Sequence, residues 1–179
     1  MLTTVSRAVF SAIILTAFAT VGGAFAEPYA PLVKDPGKPT IEGQELGYPL
    51  EKMVLQEAAK NMPDRGAVEQ PPYPGAVVVN ARKAGKGSTN GVDYTVLPSV
   101  ILHTTDDVAT VVAFYVEALP GWTKYDYFGM DYLYKGSGEF KPMEKSGYET
   151  PHVAITKLHS AMKYHAMPEA VTEITIFYN

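Results

Sequence analysis

Residues 104–121 read TTDDVATVVAFYVEALPG, and this stretch decides the fold. Val108, Val111, Val112, Tyr115 and Leu119 recur at three- and four-residue spacing, which predicts an apolar stripe along a helix over 106–119. Thr104 or Thr105 is expected to cap that helix, with Asp106 and Asp107 in the first turn, where the helix dipole favours anions. Pro120 and Gly121 then stop it. A helix with one apolar stripe needs an apolar surface to lie on, and the flanking chain supplies strands to make one.

Upstream, residues 76–81 form a Val-rich strand, and 91–104 hold another in which Val92, Tyr94 and Val96 alternate before Pro98 interrupts. Gly85, Gly87 and the pair Asn90-Gly91 predict a hairpin-type loop between them. Downstream, 122–127 and 130–135 read as strands joined near Gly129, followed by a polar loop to Thr150. Strands over 152–158 and 172–178 complete the set. The strands come in runs, without β-α-β alternation. The expected fold is therefore α+β: an antiparallel sheet of about five to six strands packed against one main helix, with a short N-terminal helix and an extended arm.

The N-terminal third has a different character. Arg7, the apolar run over 8–19 and the small-x-small ending Ala24-Phe25-Ala26 match an export signal, so cleavage after Ala26 is expected. That run is shorter than the roughly 20 residues a spanning helix needs, so no stable membrane span is expected once the signal is cut. Residues 27–72 read as a Pro-rich arm carrying one short helix opened by Pro49, with Leu50, Met53, Val54 and Ala58 on its apolar face. The compact domain is expected over 73–179. The address implied is periplasmic or secreted.

Charge and cysteine content narrow the function classes. Nineteen acidic against fifteen basic side chains give a net charge of −4, which argues against nucleic acid as a partner. The absence of cysteine removes thiol-disulfide chemistry, thiolate metal sites and a lipid-anchored N-terminus from consideration.

Short motifs in the domain carry a resemblance. Tyr73-Pro74-Gly75-Ala76, Thr104-Thr105-Asp106, Phe114-Tyr115, Leu119-Pro120-Gly121-Trp122 and the closing run over 172–176, TEITI, resemble a pattern in poorly characterised exported bacterial domains. The resemblance covers about residues 73–179 and implies a curved antiparallel sheet over a helix. It implies no activity and no catalytic residue.

Two clusters suggest chemistry or contact. Tyr125 and Tyr127 share a strand face, as do Tyr132 and Tyr134, so the hairpin is expected to present a tyrosine row to an envelope protein or small ligand. Tyr115, Trp122, Phe128, Phe140 and Tyr148 add to the aromatic density of the region. The second cluster is His159, Met162, His165 and Met167, whose imidazoles and thioethers are the soft donors a Cys-free exported protein has for copper. Catalysis is not expected. The serines lie in no G-x-S-x-G context, the run Gly85-Lys86-Gly87-Ser88 departs from the phosphate-loop order, and His103 beside Asp106 and Asp107 is the sole acid-base pairing the spacing suggests. The leading expectation is a non-catalytic exported binding domain, and the alternative is a periplasmic copper-handling protein.

Overall fold

The amphipathic stripe becomes helix α2, Val108–Ala118, whose Val111, Val112 and Tyr115 are buried. It lies on a sheet built from strands β1 (Val77–Arg82), β4 (Ser99–Thr104), β5 (Thr123–Tyr127), β6 (Met130–Tyr134), β7 (His152–Lys157) and β8 (Thr172–Phe177). Every neighbouring pair is antiparallel, in the order β1-β4-β8-β7-β6-β5. Helix α1 (Tyr48–Lys60), a separate two-stranded sheet of β2 (Gly85–Thr89) and β3 (Val92–Val96), and the short helix α3 (Lys145–Glu149) complete the elements. The computed structural model describes residues 48–64, 66–89, 91–159 and 167–179. Among the described residues no helix is long and apolar enough to cross a membrane.

Period-two alternation puts the β-branched residues of the central strands on the α2 side. The register aligns Val100, Ile176 and Val153 in one cross-strand row, and Leu102, Ile174 and Ile155 in the next. All six are at most 1% exposed and belong to the core that includes Val111 and Tyr115. Each such side chain contributes about 1.5–3 kcal/mol on burial. The core continues upstream of Tyr73, because Ala58 of α1 joins it and Met62, Ala67 and Val68 pack against it.

Local details differ from the sequence reading for physical reasons. Asp107, not Thr104 or Thr105, caps α2: its backbone is extended and its Oδ1 accepts from Thr110 N–H at 2.8 Å. Thr104 is still the last residue of β4, and its hydroxyl accepts from Asp106 N–H. The glycine-rich stretch before Asn90 is strand β2, not loop. A side chain at position 87 would collide with the ring of Tyr94 across the ladder, so a glycine there lets the ring lie over the strand. In α1 the buried positions are Glu51, Leu55 and Ala58, while Leu50 and Met53 point outward, so the expected stripe is rotated about the helix. The polar loop before Thr150 contains α3, which packs beside β3 with Tyr148 stacked on Tyr94 at 4.4 Å.

Asp106 ties three segments together at the β4–α2 corner. Its carboxylate accepts from the Tyr73 hydroxyl at 2.6 Å, and its backbone carbonyl accepts from the Thr172 hydroxyl at 2.6 Å. The Tyr73 ring meets Phe114 edge-on at 5.1 Å and leans on Tyr115. Burial, then the Asp106 hydrogen bond and charge, push the Tyr73 phenol up to about 12 from an ordinary 10.0. The folded chain therefore holds that proton more tightly than the unfolded chain, so the phenol's contribution is intact below pH 10.0 and is lost as pH rises toward about 12. Tyr73→Phe is expected to lower the unfolding free energy by about 1–2 kcal/mol at neutral pH. Denaturant unfolding as a function of pH should also show a shallower alkaline decline in the variant.

Candidate functional site

The four tyrosines of the β5–β6 hairpin lie on one sheet face, the face away from α2. Tyr125 pairs with Tyr132, Tyr127 with Met130, and Thr123 with Tyr134. The structure does not leave all four at the surface. Phe140, carried by the segment between β6 and α3, folds back over the row and is 5% exposed. Its ring stacks on Tyr134 at 4.6 Å, leans on Tyr132 at 5.6 Å and meets Tyr125 edge-on at 6.2 Å. Tyr132 and Tyr134 are therefore core residues of a second cluster, and the expected four-tyrosine surface is corrected to its outer strand. The cause is Phe140 itself, an apolar ring in an otherwise polar loop that shields its surface on the neighbouring tyrosines. The buried hydroxyls keep acceptors: Tyr134 donates to Gly138 O, and Tyr132 to the Met130 thioether. Burial, with a smaller effect from Tyr127, pushes the Tyr132 phenol up.

What remains exposed is Tyr125, part of Tyr127, and Phe128 at the tip. Phe128 and Gly129 form a two-residue turn with φ of 52° and 76°. Two successive positive φ values are the type I′ geometry that suits hairpin twist and favours Asn-Gly. A phenylalanine there costs roughly 1–2 kcal/mol of backbone energy. Its ring touches Tyr127 at 4.6 Å and is otherwise presented to solvent, with 87% of the residue exposed. Folding alone gives no reason for this residue at this position. Phe128 stands outside the tyrosine row expected from sequence, although the two-residue spacing between the strands marked it as a hairpin tip.

The other candidate residues are placed as follows. His103 is fully buried, and its Nε2 lies 3.2 Å from Glu173 of β8, its cross-strand partner, on the face opposite α2. The expected pairing with Asp106 or Asp107 does not form, because those carboxylates bind Tyr73 and cap α2. Hydrogen bonds from Thr110 hold the Asp107 carboxyl below its ordinary range. Of the soft-donor cluster, His159 is exposed beyond β7, and Met167 is buried with Leu158 and Ala170; Met162 and His165 lie outside the described residues. Among the described residues no group of three or more His, Cys, Asp or Glu is gathered as a metal ion would require.

His152 is the other buried imidazole. It stacks on Phe177 at 4.2 Å, sits against Phe140 at 5.1 Å, and its Nδ1–H donates to Thr150 O at 2.8 Å. Searches against family models, curated proteins and solved structures found no match to this chain.

Burial holds the His152 pKa down to about 4, against an ordinary 6.5. The unfolded chain therefore binds a proton that the folded chain refuses. The contribution of the neutral His152 to stability is complete above pH 6.5 and is lost as pH falls toward about 4, by an amount on the order of 3 kcal/mol. His152→Phe keeps an aromatic ring between Phe140 and Phe177 while removing the titration. Thermal melts over that pH range should show a flatter acid limb for the variant than for the wild type.

Proposed function

We propose that this protein is a non-catalytic exported binding domain of the cell envelope, and that the β5–β6 hairpin tip is the part that meets its partner. The observation that carries this reading is Phe128: a large apolar ring, 87% exposed, at a turn position whose backbone disfavours it. Exposed aromatics at a strained position are a signature of recognition rather than of packing. Tyr125 and Tyr127, stacked at 6.2 Å, extend the ring's apolar surface along the outer strand. The tip is convex, whereas small ligands are bound in concavities, so the partner it suits is a protein offering an apolar pocket.

The buried imidazoles support the non-catalytic part. His103 is held to Glu173 inside the molecule, and His152 is held neutral between aromatic rings. A general acid or base has to reach its substrate. The envelope address rests on the signal-like stretch over 1–26.

Phe128→Asn places the residue the turn prefers and removes the ring. The variant is expected to be more stable than wild type by about 0.5–1 kcal/mol. A photo-crosslinking residue at position 128 in the full-length chain, expressed in a cell with its envelope, should give a discrete adduct. The same group at Val116, an exposed apolar position on α2, should give none. Equal adduct patterns from the two positions, or an Asn variant less stable than wild type, would contradict this reading.

A further inference from the structure

We propose that β5 is the seam of a symmetric homodimer, in which two copies pair antiparallel through Thr123–Tyr127 and continue one sheet into the other. The two edges of the sheet differ. At β1 the register shifts between Val78 and Asn80, and α1 packs alongside, both of which blunt an edge. At β5 the pairing with β6 is an unbroken five-residue ladder, and among the described residues no strand lies beyond it.

Hairpin geometry fixes which backbone groups that edge offers. A two-residue turn closes on a hydrogen-bonded pair, here Tyr127 with Met130, and bonded pairs alternate along an antiparallel ladder. Tyr125 and Thr123 therefore bond inward to β6. The N–H and C=O groups of Lys124 and Asp126 point outward from the sheet.

The sequence of β5, TKYDY, is complementary to itself when read antiparallel. Centred on Tyr125, the pairing sets Lys124 of each copy against Asp126 of the other. It bonds both outward backbones and places the two Tyr125 rings side by side at the twofold axis. Opposite charges across a strand pair stabilise it, and like charges oppose it. Within one chain, Asp126 faces Asp131, and it is Asp131 that holds Lys124, at 2.9 Å. Asp126 thus faces a like charge that a second copy's lysine offsets. This self-complementarity selects a second copy over an unrelated extended segment.

Six residues of offset separate the two Phe128 tips by roughly 20 Å, at opposite ends of the seam. The tips stay free, and the dimer carries two of them. The dimer does not depend on what the tip binds.

Charge exchange tests the seam. Sedimentation equilibrium of the purified full-length protein should show a monomer–dimer equilibrium. Lys124→Asp and Asp126→Lys should each weaken self-association by at least about tenfold. The two variants mixed should form a heterodimer, because the introduced aspartate of one copy then faces the introduced lysine of the other, while the native Asp126 and Lys124 that remain face each other across the seam. The double exchange in one chain should restore self-association. Mixing guards against misfolding, since a variant that merely unfolded could not be rescued by the other. A wild type that stays monomeric at every concentration, single variants that associate as strongly as wild type, or β5 amides protected only when an added extended peptide is present would each overturn the proposal.

Discussion

The hydrogen bond from Tyr73 to Asp106 holds the architecture at its corner. Asp106 sits where β4 ends and α2 is about to begin, and it accepts twice, from a phenol of the N-terminal segment and from the hydroxyl of Thr172 at the start of β8. These contacts fix where α2 leaves the sheet. With that point fixed, the stripe of Val111, Val112 and Tyr115 falls on the rows of Val100, Ile176, Val153 and Leu102, Ile174, Ile155. The six side chains of those rows are at most 1% exposed and form the centre of the apolar core. Asp106 contributes direction, without which the same apolar surfaces could meet at another angle.

The sheet's second face is made differently. Among the described residues no long helix lies over it; Phe140 and the rings of Tyr132, Tyr134, His152 and Phe177 cover it with one another. Two buried imidazoles in this layer, one bound to a carboxylate and one held neutral, show how a Cys-free chain builds a second core partly from polar aromatics. Because Phe140 covers the inner tyrosines, the aromatic surface the hairpin leaves exposed is that of Tyr125 and the Phe128 turn, which is where we place the proposed recognition. The base of the hairpin is packed, and its tip holds one exposed ring at a strained turn.

The α2 stripe, the antiparallel strand set and the turn at Gly129 were legible in the sequence because each has a period or a turn signal. Other features depended on distant partners. Asp107 displaced the threonines as the cap because Thr104 belongs to a strand whose pairing with β8 no local pattern reveals. Strand β2 hid behind its glycines, of which Gly87 is explained by the Tyr94 ring across the ladder. The tyrosine row was correct in facing and wrong in exposure, since a single Phe in a polar loop decided which half of it stayed outside. Phe128 was visible as a letter, but its meaning came from its backbone angle.

The centre of the sheet is locked by α2, and among the described residues its outer hairpin strand is bonded on one side only. Residue-resolved hydrogen exchange of the purified protein in dilute solution measures this directly. Slowest exchange is expected in β4, β8 and β7, with slow amides at Tyr125 and Tyr127 alternating with fast amides at Lys124 and Asp126. Uniform protection along β5 in dilute monomer, or central strands that exchange as fast as the hairpin edge, would contradict the account.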